Sequence, residues 1–209
     1  GDVSFEVMAI RDKIERGELT GPRIMPSGPL LAIPHGHGAP QISHDVTTSV
    51  EARTNTRINL THGAQSIKIS ATGGVTDAKG IGHAGTPEMS EEHMAAICEE
   101  AHAAGVLVAA HAQSVEGVRR ALRAGVDTIE HGSSMDDELI ELYRNNPKSL
   151  RGWSAMIPTL QACMPLVKLD QSVTKVSDVV KANAELVLEE MLSGIRSARE
   201  NGIAMGVGS

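Results

Sequence analysis

Apolar positions along this chain follow two alternating rhythms. Short continuous runs, such as VLVAA at residues 106–110, suit a strand buried on both faces. Between them lie stretches where apolar residues recur every three or four positions, as on a helix with one buried stripe. Residues 106–132, VLVAAHAQSVEGVRRALRAGVDTIEHG, hold one full cycle. The first run predicts a strand. Ser114 is placed to cap a helix whose Val118, Ala121 and Leu122 share one face, and Gly125 stops it. Residues 126–130 predict the next strand.

The same cycle recurs on either side. Residues 5–16 predict a helix with Val7, Met8, Ile10 and Ile14, followed by Leu19, on its apolar side. Strands are expected within residues 23–33, at 64–74, at 153–160 and starting at 203–207. Helices are expected within residues 49–62, after Ser90, at 135–143 and at 177–200, where Gly194 falls inside the stripe. Residues 161–176 show no clear period, and His44 and Asp45 fall in an expected polar loop. Strand–helix alternation of this kind predicts an α/β fold with a parallel sheet, the pattern of a (β/α)8 TIM-type barrel.

Composition narrows the function. The formal net charge of −7 and an aromatic set of Phe5, Tyr143 and Trp153 argue against a nucleic-acid surface. No apolar run approaches the ~20 residues of a membrane span. Cys98 and Cys163 make no disulfide framework and are expected to pack as small apolar residues. The chain has 209 residues, whereas a complete barrel takes about 250.

Candidate chemistry lies at the strand ends. His111 and His131 close successive predicted strands, and a parallel barrel delivers such ends to one rim, where two imidazoles can share a metal ion. In the strand at 64–74, alternation sends Ile67 and Ile69 outward and Lys68 inward with Ser66 and Ser70. A lone interior ammonium is costly, and its pKa falls. Its neutral amine can react with carbon dioxide to give a carbamate able to bridge two metals; the alternative is a structural lysine reaching solvent or an acidic partner. Glu130 is expected on the opposite side of its strand from His131, in a structural ion pair or hydrogen bond. His35 and His37, in PHGHG, are candidates for substrate contact, against the alternative of a glycine-rich loop with incidental histidines. Gln113 and Thr159 are further candidates for contact with substrate. Arg53 and Arg57 could present a carboxylate-binding face or a solvated one. His93 and His102 belong to an outer helix and are not expected to be ligands.

Lys68 in IKIS-x-TGG, His111 in AAHA and His131 in IEHG, together with GPRIMPSG, HGHG, AHAAGVLVAAHA and AGVDTIEHG, resemble the amidohydrolase superfamily of metal-dependent hydrolases. The likeness is to its imidazolonepropionase-like and Xaa-Pro or Xaa-Arg dipeptidase branch. It implies an incomplete metal-dependent hydrolase barrel domain over residues 1–209, carrying about strands three to eight and lacking strands one and two. The family's first-strand His-x-His and eighth-strand aspartate would then lie outside this internal fragment, which is itself expected to be inactive. The resemblance further implies two zinc ions per intact site, with Lys68 as bridging carbamate and His111 and His131 on one ion. A metal-bound hydroxide would attack a small amide, dipeptide or cyclic amide. A mononuclear imidazolonepropionase-like enzyme and a non-catalytic barrel-derived binding domain remain the alternatives. Ser133 and Ser134 stand where some members carry a tyrosine for the substrate carboxylate. The expected setting is cytoplasmic, without nucleic-acid or membrane partners, and open to homo-oligomer formation.

Overall fold

A computed structural model describes residues 2–208. Its elements in chain order are α1 (Glu6–Glu15), β1 (Leu30–Ala32), β2 (Ser43–Asp45), α2 (Ser49–Thr61), β3 (Ser66–Ser70), α3 (Glu91–Ala103), β4 (Leu107–Ala112), α4 (Val115–Ala124), β5 (Thr128–His131), α5 (Asp137–Arg144), β6 (Ala155–Ile157), α6 (Leu160–Lys168), α7 (Gln171–Thr174) and α8 (Asp178–Glu200). The six strands form one parallel sheet in the order β2-β1-β3-β4-β5-β6. This is a partial (β/α)8-type barrel.

Local chemistry accounts for the boundaries. Ser90, Ser114, Asp136 and Ser177 each accept a backbone N–H from the first turn of α3, α4, α5 and α8. Thr48 and Glu51 form a reciprocal capping box at the start of α2. Gly125 ends α4 at a φ of 106°, a conformation that costs glycine little.

Register divides the sheet into two faces. Ile67 and Ile69 line up with Val108 and Ala110, and Ala110 and Ile129 continue the row to Met156. All six are fully buried under the helical layer, with Met94, Ile97, Leu122 and Leu139. The opposite face carries Lys68 beside Ala109 and Thr128, then Ser70 beside His111 and Glu130. This second face is the barrel interior.

Three expectations need correction, and a fourth holds. Ser43–Asp45 is a strand, because its backbone pairs with β1 through Leu30 N–H to the Ile42 carbonyl and Val46 N–H to the Ala32 carbonyl; polar side chains concealed it. Residues 161–176 are largely helical, in α6 and α7, although Pro165 sits inside α6. The apolar side of α1 is only partly used: Met8 is buried, while Ile10 and Leu19 stay exposed. The start of an eighth strand appears as a parallel bridge between Met156 and Met205, extended by Met156 N–H to the Ala204 carbonyl and Gly206 N–H to the Met156 carbonyl.

Candidate active site

The upper ends of β3, β4 and β5 bring Lys68, His111 and His131 within electrostatic reach of one another. Lys68 stands on the interior face, as alternation predicted. Some of its surface remains accessible, but the atoms crowded round the ammonium desolvate it and push its pKa down to about 8, against the opposing pull of Glu130. At pH 7 the ammonium still predominates, but about one lysine in ten is neutral, far more than for a free lysine side chain.

His111 is buried, and its Nε2 lies 3.0 Å from the Gly73 carbonyl oxygen. A carbonyl only accepts, so in the neutral ring Nε2 carries the proton and Nδ1 the lone pair. Burial, then the neighbouring His131 and His37, holds the imidazole well below its usual pKa. The rings of His111 and His131 meet edge to face at 4.6 Å. Burial, then Lys68 and His37, pulls His131 down to about 3. Both imidazoles are therefore neutral at neutral pH, the state in which they ligate metals.

His131 reaches this position through its backbone. It pairs with Ala112, whose row belongs to the helical face, so strict alternation would turn it away from His111. A φ of +71° breaks the alternation at the strand end. Glu130 and His131 consequently both serve the interior, which corrects the expectation that Glu130 points away. Glu130 accepts a hydrogen bond from the Thr128 hydroxyl at 3.1 Å and supports the charge of Lys68. Thr159, just after β6, hydrogen-bonds His131 Nδ1 and so fixes that ring.

His37 joins the group from the loop after β1. Its ring stacks on His111 at 4.0 Å, its Nδ1 pairs with Asp77, and its N–H donates to Glu88 Oε2 at 2.9 Å. Burial raises the Glu88 pKa. Gly74 is required here: a Cβ on it would lie 2.2 Å from His37 Nδ1. His35 is exposed and does not reach His111 or His131; it borders a separate cavity of about 240 Å³ with His37, Asp77, His83 and Glu88. A second cavity, of about 170 Å³, is lined by His37, His111, Gln113, His131 and residues of α6. His37 thus stands between the two.

Other candidates find structural partners. Arg53 and Arg57 pair with Glu99 and Glu100 of α3, which uses their charge within the helical layer. His102 pairs with buried Asp127 at 2.7 Å. Ser134 donates both its N–H and its hydroxyl to Glu190 of α8, so a carboxylate of the chain itself occupies that rim position. The roles of Glu130, Asp77, Glu190 and α6 were not apparent in sequence. A helical period over residues 160–168 was the one available signal, and Pro165 obscured it.

Among the described residues, no three His, Cys, Asp or Glu side chains are grouped closely enough to hold a metal ion. A donor set that fits one must draw on His111 and His131 together with Lys68, and its chemistry is suitable: two neutral imidazoles, each oriented through one ring nitrogen, beside an amine with a depressed pKa. No helix among the described residues is long and apolar enough to cross a membrane.

Residues 2–209 match the model of the Amidohydrolase family. The chain superposes along its whole length on a provisionally assigned prolidase from Bifidobacterium longum, with a TM-score of 0.90 and 56% identity, covering 50% of that chain. A Xaa-Pro dipeptidase with methionine bound in its active site matches at a TM-score of 0.80 and 30% identity, over 100% of this chain and 52% of that one. Ochratoxinase from Aspergillus niger is 28% identical in an alignment 155 positions long that covers 63% of this chain and 32% of the relative. The chain therefore spans about half the length of the solved structures it matches.

Proposed function

Since this chain belongs to the amidohydrolase family, we propose that the protein carrying it hydrolyses a carbon–nitrogen bond in a small amide or dipeptide, with His111, His131 and Lys68 as its contribution to a divalent-metal site. The observation that carries this reading is the convergence, on adjacent parallel strand ends, of two desolvated neutral imidazoles and a lysine whose pKa is lowered to about 8. A neutral Lys68 amine adds carbon dioxide, releases one proton and becomes a carbamate with two donor oxygens. A divalent metal held by these residues would supply Lewis-acid polarisation of the substrate carbonyl and activation of water.

The remaining residues hold and orient. Gly73 fixes the tautomer of His111, and Thr159 holds the His131 ring through Nδ1. His37, tethered by Asp77 and Glu88, covers one side of His111. The relatives support an amino-acid amide as substrate: the dipeptidase holds methionine in its active site.

Metal content and dipeptide hydrolysis of the full-length protein test this reading, measured for the wild type and for Lys68→Ala. Loss of bound zinc together with a fall in kcat/KM of more than about a hundredfold is expected. Unchanged metal content and turnover would remove Lys68 from the site.

A further inference from the structure

Residues 75–86, between β3 and α3, form a strap whose two limbs are joined at the base. Gly73 N–H donates to the Thr86 carbonyl at 2.9 Å, and Thr72 forms an antiparallel bridge with Pro87. One limb carries Asp77, which pairs with the His37 ring. The other passes so close to Gly73 that a Cβ there would lie 2.7 Å from the His83 carbonyl oxygen. Val75 and Thr76 wall the 170 Å³ cavity, while Asp77, Lys79 and His83 wall the 240 Å³ cavity across His37. Little apolar area keeps the strap down. Val75 and Ala84 are buried, but Ile81 is 68% exposed, and Thr76, Lys79, Gly82 and His83 are exposed too. The tip is held instead by one fully buried side chain of α8. Asn183 Oδ1 accepts the N–H groups of Gly82 at 3.0 Å and Ala84 at 3.2 Å. Its Nδ2 donates to the Gly80 carbonyl at 3.0 Å and to the Val179 carbonyl at 2.8 Å. A carboxamide has two lone pairs and two donors to offer. Asn183 therefore works at full capacity, and three of its four bonds go to the strap.

We propose that residues 75–86 move as one body and that Asn183 is a positioning residue: it holds the tip of the strap, the strap holds Asp77, and Asp77 holds the His37 ring against His111. Segments with few buried apolar contacts open at low free-energy cost, and loops that open over a site gate access to it. Release of the tip from Asn183 frees Asp77 and His37 to swing, which joins the two cavities for entry and exit. Return of the tip restores the stack of His37 on His111. The effect on turnover rests on the hydrolase reading, whereas the mechanical link from Asn183 to His37 does not.

Amide exchange and histidine ring resonances of the full-length protein, both read by NMR, test the link without turnover. In Asn183→Ala, exchange should speed about fivefold at Gly82 and Ala84, and by the same factor at Asp77 and Thr86, whose N–H groups bond to the Gly74 and His83 carbonyls and not to Asn183. The His37 ring resonances should shift. With turnover, kcat/KM for a dipeptide should fall about fivefold in Asn183→Ala, but Asn183→Ala should add nothing in an Asp77→Asn background, where the connection to His37 is already cut. The Asp77 side chain is 47% exposed, so Asp77→Asn leaves the core intact. Alone, it should speed exchange at Gly82 and Ala84, and this arm decides if Asn183→Ala fails to fold. Acceleration confined to the residues next to each substitution overturns the strap. So does an unmoved His37 ring, or an equal loss of kcat/KM in both backgrounds. Exchange that speeds throughout the strap together with a shifted His37 ring, in a protein that hydrolyses no dipeptide, leaves the link standing and overturns the hydrolase reading instead.

Discussion

Lys68 and Ile69 are neighbours in one strand, yet they belong to different physical worlds. Ile69 joins Ile67, Val108, Ala110, Ile129 and Met156 on a fully buried face, where the helices exclude water. Lys68 faces inward with Ser70, His111, Thr128 and Glu130, where nearly every side chain carries a polar atom. The first face is built from interchangeable apolar volume, and its energetic value scales with area removed from water. The second tolerates costs that packing alone would not select. A desolvated lysine lies near two imidazoles that burial keeps neutral. Stability is drawn from one side of the sheet, and titratable groups with shifted pKa values are gathered on the other.

The largest effects should come from exchanging those two neighbours in turn. Ile69→Ala should destabilise the protein by about 2–5 kcal/mol in urea unfolding. Lys68→Met should leave stability unchanged or higher, because removing an ion from a desolvated position relieves a penalty, while abolishing hydrolysis. If Lys68→Met lowers stability as much as Ile69→Ala does, the division between faces is lost. Next comes Asp127, a polar residue lodged among the apolar layers. One carboxylate oxygen accepts the Val108 N–H and faces His102, and the other accepts the Leu150 N–H, all at 2.7 Å. Asp127→Ala should cost about 3 kcal/mol by leaving buried donors unpaired, a cost that Asp127→Asn should partly recover.

Smaller effects should test how the helical layer supports the rim. A Cβ at Gly194 would lie 2.2 Å from the Ser133 carbonyl oxygen. Gly194→Ala should therefore destabilise by roughly 1–3 kcal/mol, read as a lower Tm, with a shift of the segment after β5. Asn183, buried on α8, accepts N–H bonds from Gly82 and Ala84 and donates to the Gly80 carbonyl. Asn183→Ala should speed amide exchange at residues 80–84 and cost about 1 kcal/mol. Unchanged exchange there would mean that the segment after β3 holds its shape without α8.

Much of the helical face was legible in sequence because burial writes itself as period. The apolar run at residues 106–110, the cap at Ser114 and the stop at Gly125 appear in place. Short elements stabilised by backbone pairing left little trace: β2 reads Ser-His-Asp, and only its partner strand makes it a strand. At the rim, residue identity indicated Lys68, His111 and His131, but alternation misplaced Glu130 because no periodic rule anticipates the positive φ that follows it. The Asp77–His37 and Glu190–Ser134 contacts join residues far apart in the chain, which no local pattern encodes.

The left-handed backbone of His131 also limits what can be written at that position over evolutionary time. Most L-residues avoid such a conformation, while glycine adopts it freely and asparagine, aspartate and histidine are enriched there. Of those four, histidine and aspartate are the usual metal donors. The bend at the end of β5 thus narrows the usable alphabet before any selection on reactivity begins. A library randomised at residue 131 should return its folded members from that short list. The geometry of one peptide unit would then restrict this position before any ligand acts on it.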